Sequence, residues 1–215
     1  MNGLRALVDG LPRVIMASLA PSSNDSPDSD WLAQSPPRTC SNITSAIESP
    51  RLELLNSSSS VKTLFAPAKP AGNAGDYVES DTDEQLMVFI PFQSAVKLHS
   101  FQITSLASTD EDEEDEEVPS RPKTLKIFAN TPQILGFDEG EEREPTQTVE
   151  LDWDKEGTAV VNTRFVKFQH CSGVTLFFVD VERDGAEKCR IDRIRVVGEK
   201  MGEKTDMAKL KQEQE

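Results

Sequence analysis

The run LMVFIPFQSAVKLHSFQIT, residues 86–104, holds the information from which an architecture can be built. Leu86, Val88, Ile90 and Phe92 recur with a period of two, and Met87 and Phe89 occupy the alternate positions, so the pattern predicts a strand that is apolar on both faces. Such a strand belongs in the middle of a sheet, with Pro91, which offers no N–H to a ladder, near its end. Further on, Val96 and Leu98 share one parity while Phe101 and Ile103 share the other. A straight strand would send one of these pairs to the wrong face. A β-bulge near His99–Ser100 brings all four to one core.

The pattern continues on the C-terminal side. Leu125, Ile127 and Ala129 alternate and stop at Asn130-Thr131-Pro132. Val149, Leu151 and Trp153 alternate ahead of a turn at Gly157. Val174, Leu176 and Phe178 make one strand face, with Phe177 and Val179 on the other. Asp184-Gly185 predicts a hairpin turn that returns through Ile191, Ile194 and Val196. Residues 42–56 predict a short helix or turn leading into the domain. Helical periodicity is weak everywhere ahead of a Lys/Glu-rich tail at 201–215. Many short strands separated by turn signals predict an all-β sandwich or jelly roll.

Hydrophobic residues make up 36% of the 215-residue chain. That is low for a globular protein, and the shortfall is local: segments 21–50, 107–122 and 199–215 are nearly free of large apolar side chains. One core with solvated flanks follows. Residues 22–37, rich in Ser and Pro, cannot bury enough apolar surface to offset their ordering entropy and are expected to be disordered. They contain Ser26-Pro27 and Ser35-Pro36, which together with Ser49-Pro50 are candidate sites for proline-directed kinases. The organisation expected is therefore a disordered segment 1–41, one domain over 42–199 with an acidic loop at 107–122, and a short charged tail at 200–215.

The net charge is −15, from 38 acids against 23 bases, and the acids include an unbroken run from Asp110 to Glu117. Such a chain repels phosphate backbones and anionic membranes, so neither nucleic acid nor membrane is an expected partner. The acidic run is either an electrostatic handle for a basic protein surface or a solvated loop. Cys40, Cys171 and Cys189 form no paired framework and no Cys-x-x-Cys, which fits a reducing compartment. The Met1–Ala20 stretch is broken by Arg5, Asp9, Gly10, Pro12 and Arg13, too often for a signal-peptide core. A cytoplasmic or nuclear location, or both, is expected, and a monomer.

Signals for catalysis are scarce. His99 and His170 lie in no nucleophile or metal motif, and His170 and Cys171, as neighbours on a strand, point to opposite faces. A disulfide between Cys171 and Cys189 is not expected, because the hairpin would place Cys189 opposite about Val181. Asp81-Thr82-Asp83-Glu84 invites a calcium reading but lacks the spacing of an EF-hand loop; a polar lead into the strand is the other reading. No enzyme, cofactor or metal is expected.

The segment Tyr77–Leu86, running through Ile90-Pro91-Phe92 to Val96–Ser100, resembles the central motif of the PITH family. Leu54-Leu55-Asn56, Phe65-Ala66-Pro67, Leu125–Asn130, Phe137-Asp138, Glu142–Gln147, Val166–Gln169 and Arg190–Ile194 closing on Gly198 are similar to that family in the same order. The match covers roughly residues 42–199. The resemblance implies a jelly-roll β-sandwich of the galactose-binding-domain-like kind. It also implies association with the regulatory particle of the 26S proteasome, as in the members that carry a thioredoxin domain. Redox activity is not carried over, because this chain has no Cys-x-x-Cys. A non-enzymatic protein–protein interaction module is the expected function. A small-ligand or glycan-binding lectin-like domain is the alternative, with Tyr77 and Trp153 as the aromatics a sugar site could use. The candidate interaction surface comprises Glu79, Asp81, Asp83 and Glu84 with Glu142, Arg143, Glu144 and Gln147, polar residues between strands; ordinary loop ion pairs are the other explanation for Arg143 and its neighbours.

Overall fold

The computed structural model describes residues 32–107 and 118–201. The acidic run 110–117, the Ser26-Pro27 motif and most of the tail lie outside the described residues. In chain order the strands are β1 (Ser41–Asn42), β2 (Glu53–Leu55), β3 (Val78–Glu79), β4 (Leu86–Thr104), β5 (Thr124–Ala129), β6 (Gln147–Glu150), β7 (Thr158–Asn162), β8 (Cys171–Phe178), β9 (Arg190–Ile191) and β10 (Arg193–Lys200). A single helical turn and a half, α1 (Phe137–Glu142), and four short 3-10 turns complete the described chain.

β4 is 19 residues long and serves both layers of the sandwich. Its first half pairs with β2 and β8, and β8 continues to β5 and β6. Its second half pairs with β7 and β10, and β10 continues to β1. All of these pairings are antiparallel, and the curled sheet encloses the core on its inner face. The expected bulge is present: Val197 lies opposite Ser100 and Gly198 opposite Leu98, leaving His99 as the extra residue. Val96, Leu98, Phe101 and Ile103 consequently all enter the main core, beside Leu86, Val88, Ile90, Val174, Leu176 and Phe178.

Three sequence expectations are corrected. Pro91 does not end its strand. β4 runs on through it, and the ladder to β8 shifts register between Pro91 and Val96, so the proline marks a bend where a missing N–H costs no regular bond. Asp184-Gly185 does form a turn, with Gly185 at a φ of 81°, but β8 and β10 are not a hairpin. Each pairs with β4 instead, because the apolar faces of both are best buried against that strand. Cys189 accordingly bridges Ser120, not Val181, which bridges Pro122.

The two outer faces are covered by different chemistry. On the β4–β8–β5 side, Met87, Phe128 and Phe177 form a second apolar cluster under Leu135 and α1, with Phe137 edge-on to Phe177 at 5.8 Å. The helix is too short to show a period in the sequence, which is why it escapes a periodicity reading. On the β4–β10 side the outer face is polar: Ser100, Gln102, Thr104, Arg193 and Arg195 are all buried. Gln102 holds the backbone of Ala33 and Gln34, accepting both N–H groups (2.9 and 3.2 Å) and donating to the Gln34 carbonyl at 2.7 Å. The two arginines hold the loop from Ala66 to Asp76. Arg193 donates to the carbonyls of Ala68 (3.1 Å), Asp76 (2.8 Å) and Asp192 (2.7 Å) and pairs with the Asp76 carboxylate. Arg195 donates to the carbonyls of Ala66, Pro67 and Ala68. Hydrogen bonds to charged groups are worth about 1.5–3 kcal/mol each, which is how two buried guanidinium groups are tolerated without apolar packing. Burial, and then the charge of Arg193, bring Arg195 down to about 10, still protonated at neutral pH. At Asp76 burial raises the carboxyl pKa, but the Ala71 N–H and the Arg193 guanidinium outweigh it and hold the group below the ordinary carboxylate range.

Two expected outcomes test this account. A Cβ at Gly198 would lie 2.1 Å from the Lys97 carbonyl oxygen, so Gly198→Ala must displace backbone at the bulge. It should lower stability by about 2–3 kcal/mol in denaturant titration; a loss under about 0.5 kcal/mol would contradict the packing described. Asp76→Asn tests the clasp through pH. A carboxyl with a depressed native pKa contributes in full above the ordinary Asp value of about 4 and loses that contribution as pH falls through the native value. Wild type should therefore exceed Asp76→Asn in stability near neutral pH, with the gap closing in acid. A gap independent of pH would remove the ion pair from the account.

Candidate interaction surface

The segment ahead of β4 is held by Asn56, one of two described non-glycine residues with positive φ, at 62°. Asparagine tolerates that backbone state and has a short amide to use there. Its Nδ2 donates to the Asp83 carboxylate (2.7 Å) and to the Gln85 carbonyl (2.7 Å), and its Oδ1 accepts the Thr82 N–H at 3.0 Å. The Asp81 N–H donates to the Asn56 carbonyl, and Ser58 Oγ donates to the Asp81 carboxylate at 3.2 Å. Asp81 and Asp83 are thus exposed but fixed. Glu79 is half-buried in β3, opposite Arg190. Glu84, also half-buried, turns to a cleft of about 450 Å³ shared with Lys123, Asp180 and Arg183.

The second candidate segment begins in α1. Gly140 presses on the sheet, where a Cβ would lie 2.9 Å from Met87 Cε and 3.1 Å from Phe177, so Glu139, Glu141 and Glu142 are left exposed. Gln85 Nε2 donates to Glu141 Oε1 at 3.1 Å and joins the two segments. Asp81, Asp83, Glu139, Glu141 and Glu142 therefore form one acidic ledge at the start of β4. Arg143 pairs with Glu139 at 3.2 Å across one helical turn, an exposed contact of the ordinary loop kind. Glu144 is exposed beside it.

Gln147 does not belong to this surface. It is buried, accepting the Arg164 N–H at 2.8 Å and donating to the Asn162 carbonyl at 2.9 Å. Its amide supports the tip formed by Arg164, Phe165, Val166 and Lys167, a feature the sequence reading missed. Phe165 and Val166 are 59% and 84% exposed. Nothing local in the sequence distinguishes them from core residues.

The aromatics a sugar site could use are engaged in the fold. Arg190 lies 3.7 Å over the Tyr77 ring, and Trp153 Nε1 donates to the Pro122 carbonyl at 3.0 Å beneath Arg121. Burial pushes the Cys171 thiol up to about 11; burial, then Asp180 and Glu84, push Cys189 up as well, so both are poor nucleophiles. Among the described residues no group of three or more His, Cys, Asp or Glu could hold a metal ion. No described helix is long and apolar enough to cross a membrane.

Comparison with known proteins adds a family to this geometry. The chain is 32% identical over 201 residues to thioredoxin-like protein 1 of Schizosaccharomyces pombe, covering 89% of this chain and 64% of that protein. It is 33% identical over 156 residues to PITH domain-containing protein 1 of Danio rerio and 32% over 156 residues to that of Homo sapiens, covering 71% of this chain and 67% of each relative. Among solved structures, a fucose binding module of Streptococcus pneumoniae aligns over 74% of this chain and 97% of its own, at 8% identity and a TM-score of 0.48. The family 32 carbohydrate-binding module of Clostridium perfringens NanJ in complex with galactose aligns over 72% and 95%, at 10% identity and 0.45. Likenesses of that size say nothing about ligand. The PITH domain model matches residues 33–215, beginning at the segment that Gln102 clamps, and with these relatives it establishes that the chain belongs to the PITH domain family.

Proposed function

We propose that this chain is a non-enzymatic protein–protein interaction module of the cytoplasm, the nucleus or both, and that it associates with the regulatory particle of the 26S proteasome. Family membership supports the coarser part of this reading, a proteasome-related protein-interaction domain. The observation that carries the interaction role is the acidic ledge. Two segments more than fifty positions apart are brought together through Gln85 and Glu141, and the carboxylates of Asp81, Asp83, Glu139 and Glu141 are held by partners within the chain before any partner protein arrives. Ordered charge of one sign raises association rates with a basic surface and costs little ordering entropy on binding. The glycan-binding alternative is disfavoured because Tyr77 and Trp153 are already stacked under guanidinium groups.

The reading predicts that tagged full-length chain, purified from its own cells, recovers regulatory-particle subunits in a salt-sensitive manner. Neutralising the ledge (Asp81→Asn, Glu139→Gln, Glu142→Gln) should slow association with purified 26S proteasome several-fold, with thermal stability unchanged. Failure to recover any regulatory-particle subunit, from lysates in which intact proteasomes are demonstrably present, would overturn it.

A further inference from the structure

The tip between β7 and β8 is unlike the rest of the described surface. The other large hydrophobic side chains that reach solvent do so marginally, Leu106 at 36% and Met201 at 38%, whereas Phe165 and Val166 stand out side by side at 59% and 84%. Exposing a phenylalanine and a valine together forgoes burial free energy that a core position would gain, and this fold buries its other described phenylalanines wholly or in part.

The exposure is built in and does not reflect a loose loop. The Lys167 N–H donates to the Arg164 carbonyl (2.8 Å) and the Phe168 N–H to the Phe165 carbonyl (3.1 Å), closing a 3-10 turn. On one side, Gln147 fixes the Arg164 N–H, and Thr163 donates through its hydroxyl and its N–H to β4 carbonyls at Leu98 and His99. On the other, Phe168 is fully buried in the main core and its carbonyl accepts the Leu98 N–H at 3.0 Å. Lys167 Nζ reaches the Thr146 carbonyl at 3.2 Å. The tip is thus stapled to β4 from both of its ends, at Leu98 and His99 beside the bulge, with its two apolar side chains exposed.

Its charge is reversed as well. Arg164 and Lys167, both exposed, flank the apolar pair on a chain whose net charge is −15. Two cations and two apolar residues are too little to hold so acidic a chain on an anionic membrane. A rigid aromatic with cationic flanks matches what forms the buried anchor of a protein interface. We propose that Phe165 and Val166 are the apolar anchor of this module and that they insert into a partner-protein pocket whose rim carries carboxylates. This rests on the proteasome reading above and names the part of the chain that makes the decisive contact.

The test measures binding of the full chain to purified 26S proteasome by interferometry, with thermal unfolding and sedimentation velocity alongside. Phe165→Ala with Val166→Ala should weaken binding at least tenfold, chiefly through faster dissociation, while the melting temperature stays at the wild-type value because both side chains are exposed. Arg164→Glu with Lys167→Glu should also weaken binding and reduce its dependence on ionic strength. Wild-type binding that the alanine pair leaves unchanged overturns this proposal and leaves the proteasome reading standing. Absence of wild-type binding overturns the proteasome reading, and the anchor with it. A wild-type dimer that the alanine pair dissolves overturns the proposal in favour of contact between copies of the chain.

Discussion

Everything in this fold depends on β4 belonging to two layers at once. A strand presents alternate residues to opposite faces, so a strand that crosses from one layer to the other while the sheet curls must keep the same set of side chains turned inward throughout. In β4 the apolar parity changes between Leu98 and Phe101, and one additional residue, His99, resets it. Without that residue, either Val96 and Leu98 or Phe101 and Ile103 would face outward, and β10 and β7 would lose the surface on which they pack. The bulge also bends the strand toward its partners, and Gly198 lets β10 follow with its backbone against Lys97.

That constraint explains why the two outer faces are built so differently. On the half of β4 before the bend, Met87 and Phe89 are apolar and face away from the main core, so the sheet needs a cover there; α1 and Leu135 provide it. After the bend the outward positions are Ser100, Gln102 and Thr104, paired across the ladder with Val197, Arg195 and Arg193. Those groups cannot be covered by an apolar helix without stranding donors. They are covered by main chain, from residues 33–34 and from the loop beginning at Ala66, whose carbonyl groups meet the guanidinium donors. A polar outer face and a loop without regular structure satisfy one another.

The existence and inward parity of β4, β5, β8 and β10 were legible because both rest on period-two alternation, which buried strands must show; β1, β2, β3 and β7 were not foreseen, and residues 53–55 form a strand where a helix or turn was expected. The bulge was legible for the same reason, as a break in parity at Leu98–Phe101. Partner choice was not. Asp184-Gly185 makes the turn its chemistry predicts, yet which strand β10 joins is decided by the surface β4 offers, far away in sequence. The acidic ledge was half legible: Asp81, Asp83 and Glu142 were named, in two separate segments, whereas Glu139 and Glu141 were not, and only the fold shows Gln85 meeting Glu141. Gln147 and the buried arginines mislead for a common reason. Composition places such residues outside, and what draws them in is a set of backbone groups that require partners. Phe165 and Val166 are the converse, apolar residues that an identical argument would place inside.

The ledge and the tip have opposite sign and are tied to the same piece of chain. Residues 143–147 leave α1, and at their far end the Thr146 carbonyl accepts Lys167 while Gln147 holds Arg164. On the proposed reading the two features divide the work of recognition. Exposed carboxylates act over roughly a Debye length, about 8 Å at physiological salt, and so govern how fast and in which orientation a partner is met. An apolar anchor acts only on contact, and governs how long the partner stays. A partner matching one feature alone gains either a rapid encounter that does not last or a lasting contact that is rarely found. Because both are fixed to β4 and its neighbours, their separation is set by the sandwich itself. Discrimination among partners then depends on geometry that no single side chain controls.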